Sequence, residues 1–192
     1  MTTRAALRRG VASLLDPWTW LHLLRLVNHA SYDHARPRRR IRRGTDVRIS
    51  PTASFRNGER ISLGSRCHVG DRCSLWAGDV SGQIVVGEDA LLGPGVFVTA
   101  SNYLVPHGQP VIGQPHEERD VRIGARTWLG ANVVVLPGVQ IGDGCVVGAG
   151  SVVSRSLPAE AVAVGVPARV VRERRPASSE RAADPSKDDG GS

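Results

Sequence analysis

Aliphatic residues stand six apart through the C-terminal half of the chain, at Ile123, Leu129, Val135, Ile141, Val147 and Val153. Glycine follows directly at Gly124, Gly130, Gly142 and Gly148, and Thr127, Val133, Val139, Cys145, Ser151 and Leu157 occupy the fourth place after each aliphatic. The same register runs earlier through Leu63, Val69 and Leu75, with Cys67, Cys73 and Asp79 at the fourth offset. It recurs through Val86, Leu92 and Val98, with Ala90, Val96 and Asn102, and Ile49 and Phe55 form a first, less regular pair. A period of six fits neither a helix, at about 3.6 residues per turn, nor a simple alternating strand. It suits a prism whose faces are short strands and whose corners are turns. One aliphatic residue per face points inward, and a glycine or small residue lets the chain turn beside it. Three hexads complete a coil, and coils stack through parallel strand hydrogen bonds into a quasi-one-dimensional column. The expected fold is all-β, and its open ends call for caps.

Two flanks bracket the column, which is expected over residues 45–174. Residues 1–44 read as a helical, basic leader. Asp16 before Pro17 is an N-cap with proline at the first helical position, and Trp20, Leu23, Leu24 and Val27 then form one apolar stripe. The stripe and the run Arg36, Arg38, Arg39, Arg40, Arg42 and Arg43 allow contact with an anionic lipid surface. The alternative is a helix packed on the main domain or on a neighbouring subunit. Residues 175–192 carry hardly any apolar side chain, so they are expected to be disordered.

Charge and motif inventory narrow the classes. The net charge of +7 is concentrated in the leader, without aromatic interleaving or a helix-turn-helix pattern, so no nucleic-acid partner is expected. No GxxxxGK[ST] loop is present, which argues against nucleotide hydrolysis. Cys67, Cys73 and Cys145 make no disulfide framework and no CxxC pair. With no secretory signal and no apolar run long enough to span a bilayer, the expected location is cytoplasmic, extending to the inner membrane face.

The stretch from Gly124 to Val171, GARTWLGANVVVLPGVQIGDGCVVGAGSVVSRSLPAEAVAVGVPARVV, resembles the C-terminal signature of the hexapeptide-repeat acyltransferases. The likeness covers residues 45–174 and is strongest over 121–172. It implies a left-handed parallel β-helix, a homotrimer with active sites between subunits, and acetyl-coenzyme A or another acyl-coenzyme A as co-substrate. Galactoside and maltose acetyltransferases and polysaccharide O-acetyltransferases share the pattern. The resemblance places Ala131 and Ala149 against the pantetheine arm, where small side chains leave the backbone accessible. Ser154 and Arg155 stand where the family carries a Thr-Lys pair, and Arg169 and Arg172 match basic residues near the nucleotide phosphates.

Acyl transfer to a hydroxyl needs a base for the alcohol proton and donors for the oxyanion. In the relatives a histidine stands where the second regular block gives way to a long loop. Here the text is Ser101-Asn102-Tyr103, and tyrosine fills that slot. Tyrosine titrates near 10 and is a poor base at neutral pH. His107 and His116 are the candidate bases from the same loop, with Glu117 and Glu118 available to orient the latter. Asp79, Asn102 and Tyr103 are candidate acceptor-site residues. Two other classes remain open from sequence. One is a γ-carbonic-anhydrase-type zinc enzyme drawing on His68, His107 and His116. The other is a non-catalytic trimeric scaffold. The favoured expectation is O-acylation of a sugar, on a small molecule, a polysaccharide or a lipid-linked precursor, with no metal.

Overall fold

The computed structural model describes residues 16–174. The first fifteen residues of the expected leader and the tail over 175–192, expected to be disordered, lie outside the described residues. The column begins at Arg42, where strand Arg42–Arg43 pairs in parallel with Ile61–Leu63. Three sheets form its faces. Face A stacks Arg42–Arg43, Ile61–Leu63, Ile84–Val86, Val121–Ile123 and Gln140–Ile141. Face B stacks Arg48–Ile49, His68–Val69, Leu91–Leu92, Trp128–Leu129, Val146–Val147 and Ala161–Gly165, and closes with Ala168–Glu173 in antiparallel pairing. Face C stacks Ser54–Arg56, Ser74–Trp76, Phe97–Thr99, Val134–Val135 and Val152–Val153. The fold is a parallel β-helix.

The hexads map onto the faces one for one. Ile123 pairs with Ile141 on face A, Leu129 with Val147 on face B, and Val135 with Val153 on face C, so three hexads make one coil. All six are buried, as are Leu63, Val69, Leu75, Val86, Leu92 and Val98. The fourth-offset residues close the core between them, and three are cysteines. All three thiols are free, and each donates across to the next coil: Cys67 to Gly87 O, Cys73 to Gly93 O and Cys145 to Pro158 O. Burial pushes these thiols up, which keeps them neutral.

The glycines after the aliphatic residues do not serve the turn itself, contrary to the expectation from sequence. Positive φ falls two residues later, at Arg66, Arg72, Asp89, Arg126 and Asn132 among others. The glycines instead let coils approach. A Cβ on Gly87 would lie 2.4 Å from the Ala125 amide nitrogen, and one on Gly142 would lie 2.4 Å from that of Ala159.

The leader divides in two. Helix α1, Pro17–Ala30, is capped as expected, with the Asp16 carboxylate accepting from the Trp18 amide at 3.0 Å. Its stripe is open to solvent, however: Trp20 is 52% exposed, Leu24 66% and Val27 67%. Packing of this stripe on the chain's own column is therefore not what the structure shows. The following segment does act as a cap. Ser31–Ala35 and helix α2, Arg36–Arg40, pack on Ser54–Arg56 and Gly58–Arg60. Arg38 ties α2 to the first coil by donating to Ile49 O at 2.7 Å and Ser50 O at 3.3 Å.

Candidate active site

The hexad register is interrupted at the corner between faces C and A. Residues 77–83 leave the column after the second coil, and residues 100–120 leave after the third. The second insertion begins and ends as a hairpin, with Ser101–Tyr103 antiparallel to His116–Glu118. Asp79 and Asn102, which fit the hexad arithmetic, sit on these insertions and are exposed rather than in the core.

The two insertions meet over face C. Tyr103 lies opposite His116 in the hairpin, and their rings pack edge to face with centroids 4.4 Å apart. His116 Nδ1 is 3.8 Å from Asp79 Oδ2, within ion-pair reach. Asn57 donates to Asp79 Oδ1 at 2.8 Å and also to Ala77 O and Gly78 O, which fixes the base of the loop. Asp79, Asn102, Tyr103 and His116 line a cavity of about 280 Å³ together with Trp76, Phe97, Thr99 and Arg56. Trp76 meets Phe97 edge to face at 4.9 Å, and the Arg56 guanidinium lies 3.9 Å over the Trp76 ring. Ser101 Oγ, on the same lining, is buried and has no hydrogen-bond partner among the described residues.

Glu118 organises this assembly. Its carboxylate accepts from four consecutive amides, at Asp79 (2.7 Å), Val80 (3.1 Å), Ser81 (2.5 Å) and Gly82 (2.9 Å), and from the Ser81 hydroxyl at 3.0 Å. Partial burial pushes this carboxyl up, but the amides of Gly82, Ser81 and Val80 outweigh it and hold it at about 2. The carboxylate that faces His116 is therefore Asp79, whereas Glu118 fixes the loop carrying Asp79 and Glu117 pairs with Arg119 at 3.0 Å. The sequence reading, in which Glu117 or Glu118 orients the imidazole, is corrected on this point. Asn57, Arg56, Trp76 and Ser101 were not singled out from sequence as parts of a site, and Glu118 was given a different role in it. The one signal for them was the lengthened gap between Leu75 and Val86, which marks where the register is broken.

The remaining candidates lie elsewhere. His107 is exposed in the loop beyond the hairpin and does not line the cavity. Ala131 and Ala149 stack one above the other at the corner between faces B and C, with the Gly150 amide donating to Ala131 O at 2.8 Å. Ser154 and Arg155 are exposed at the corner between faces C and A of a later coil. Arg169 and Arg172 are exposed on the closing strand, opposite Val164 and Val162. One chain thus presents the small-residue corner and the His116 cluster on opposite edges of face C. His68 points outward from face B, so the chain alone does not bring it to His116. No group of three or more metal-binding side chains is placed to hold an ion among the described residues.

Comparison with known proteins bears directly on this architecture. Residues 120–155 match the family model for the bacterial transferase hexapeptide (six repeats), and residues 60–100 match the hexapeptide repeat of succinyl-transferase. WcaF of Escherichia coli (strain K12), named as an acetyltransferase of colanic acid biosynthesis, is 36% identical over 134 residues, covering 68% of each chain. The chain belongs to the hexapeptide-repeat transferase family. Galactoside O-acetyltransferase of E. coli (strain K12) is 32% identical over 130 residues, and the match spans 68% of this chain but 62% of that protein. A crystal structure of galactoside acetyltransferase in complex with coenzyme A superposes with a TM-score of 0.57 at 31% identity, covering 68% of this chain and 64% of the other. The chain therefore spans less than two thirds of the galactoside enzyme it resembles.

Proposed function

We propose that the chain is a coenzyme A-dependent O-acyltransferase that moves an acetyl or other acyl group to a sugar hydroxyl, with His116 as the general base. The observation that carries this reading is the His116 ring held between Asp79 and Tyr103 at a cavity lined by aromatic side chains. With Nδ1 turned toward Asp79, Nε2 is the nitrogen left for the acceptor hydroxyl. The base takes the hydroxyl proton as oxygen attacks the thioester carbonyl. The tetrahedral intermediate then collapses, expelling the coenzyme thiolate, which recovers the proton from the imidazolium. Tyr103 contributes its ring to hold His116. The hydroxyl of Ser101 is a free donor in the same cavity.

The coenzyme is proposed to run along the corner of Ala131 and Ala149, with Arg169, Arg172, Arg155 and Ser154 toward its polar groups. A homotrimer is supported by the separation of this corner from His116 on one chain, since a second copy would bring the two together. The outward apolar row of face B, with Leu91 at 41% and Trp128 at 51% exposure, supports contact between copies. The solvent-facing stripe of α1 above the arginine run supports peripheral contact with the inner face of the cytoplasmic membrane. No helix among the described residues is long and apolar enough to cross a membrane.

Thermal melting with and without coenzyme A tests the core of the reading. Ligand at one hundred times its dissociation constant should stabilise the fold by about 2.7 kcal/mol. The shift should weaken in Arg169→Ala, and acetyl-coenzyme A should release free thiol when sugar acceptors are added. No shift at millimolar coenzyme would sink the acyltransferase reading and leave the scaffold alternative standing.

A further inference from the structure

The acceptor cavity has a basic neighbour that the chemistry above leaves unused. A second cavity, of about 170 Å³, opens beneath the leader and is lined by Tyr32, Arg36, Arg40, Arg56, Asn57 and Glu59 among others. Arg56 lines both cavities, so the two adjoin at one residue. Three arginines line this second cavity against one acidic residue, Glu59. Glu59 is itself divided between Arg40 at 3.7 Å and Arg60 at 3.6 Å, outside good hydrogen-bond distance to either.

The three arginines are held in place by different parts of the fold. Arg36 and Arg40 are the first and last residues of α2, which Arg38 anchors on the first coil. Arg56 holds its guanidinium 3.9 Å over the Trp76 ring, a cation–π contact. Three arginines around one small cavity can offer their guanidinium forks to phosphate oxygens, which such forks engage bidentately. A neutral sugar alone would give them hydroxyl acceptors but no opposite charge.

Resting on the acyltransferase reading above, we propose that the acceptor is a sugar carried on a phosphate or diphosphate. Arg36, Arg40 and Arg56 bind the phosphate, and the sugar extends past Arg56 over Trp76 to place its hydroxyl at His116. Trp76, which carries Arg56 over its ring, and Phe97 both line the acceptor cavity and give the apolar side of a sugar ring an aromatic wall. The phosphate can belong to a nucleoside diphosphate sugar or to a polyprenyl diphosphate sugar. The chemistry recognised is the same in both.

The test uses the full chain with coenzyme A saturating, so that the coenzyme's own phosphates occupy their site. Inorganic pyrophosphate is then titrated by calorimetry. Binding should weaken by about tenfold or more in Arg36→Gln and in Arg56→Gln, the loss of one charged hydrogen-bonded contact. Arg126→Gln, on a remote corner, should match the wild type. Absence of pyrophosphate binding at millimolar concentration, or equal affinity in all variants, would overturn the proposal. The preceding coenzyme titration separates the two claims, because its failure removes the acyltransferase reading whatever pyrophosphate does. In a second arm, acetyl transfer is compared for a uridine diphosphate hexose, a polyprenyl diphosphate hexose in detergent micelles, and the free hexose. Either diphosphate should exceed the free sugar in kcat/KM by about tenfold, and the better of the two assigns the carrier. Equal kcat/KM for all three would count against the phosphate site.

Discussion

The coils and the insertions that leave them are built on opposite terms. In the coils, most thirds of a turn repeat one demand: an aliphatic residue inward, a thin residue where the next coil approaches, and a corner with one left-handed residue. Leu129 is fully buried and pairs with Leu92 below and Val147 above, so each coil is held by its neighbours. In the insertions the order comes from side chains. One carboxylate, Glu118, gathers the amides of four residues, and one amide, Asn57, holds the neighbouring carbonyls and Asp79. The column therefore supplies rigidity by repetition, whereas the site is assembled where repetition stops. Polar groups placed there are free to meet a substrate because no coil stacks on them.

The contrast can be broken first at the column. Leu129→Ala should cost about 2–5 kcal/mol, read by denaturant unfolding, because its cavity is enclosed by coils that cannot collapse independently. A loss under 1 kcal/mol would mean that the coils are less coupled than their pairing indicates.

The insertion should respond differently. Glu118→Gln should leave the unfolding midpoint of the column nearly unchanged while lowering kcat about tenfold, since Asp79 is no longer fixed beside His116. Its acid response carries the sign of a depressed carboxyl. The clamp is fully present above the ordinary glutamate range at about 4.3 and is lost as pH falls through about 2. Hydrogen exchange at the amides of residues 79–82 should accelerate across that window in the wild type. Flat exchange across it would show that another group holds the loop. In Glu118→Gln the amides should exchange fast at every pH.

The smallest effect is expected at Tyr103. Its ring packs T-shaped against His116, a contact that phenylalanine keeps, so Tyr103→Phe should keep kcat within about threefold, a change below about 0.7 kcal/mol. A hundredfold loss would restore the hydroxyl to the chemistry and weaken the claim that the histidine slot has moved.

How much of this was legible in the sequence follows the same division. The core of the column could be read almost residue by residue, because a single spacing rule decides which side chains turn inward. The fourth-offset cysteines Cys67, Cys73 and Cys145 follow the same rule, and all three are buried and free. The glycines were located correctly but given the wrong reason, since the close approach of coils is invisible in one strand's local pattern. The stripe on α1 was also visible, but its exposure was not, because spacing cannot say whether a face has a partner. In the site, spacing failed outright. Asp79 and Asn102 obey the hexad count and still leave the prism, because an insertion of unknown path begins at that corner. His116 was named as a candidate, but its opposition to Tyr103 depends on a hairpin register that spans the loop. The role of Glu118 depends on four amides some forty residues earlier in the chain.

The most direct test compares two histidines from the same insertion. Single-turnover transfer of labelled acetyl from acetyl-coenzyme A to a diphosphate-linked hexose would be measured for wild type, His116→Ala and His107→Ala, alongside coenzyme binding and melting temperature. The account predicts that His116→Ala loses at least about a hundredfold in rate with binding and melting unchanged, while His107→Ala stays within a few fold of wild type. Full activity in His116→Ala, or a hundredfold loss in His107→Ala instead, would contradict it.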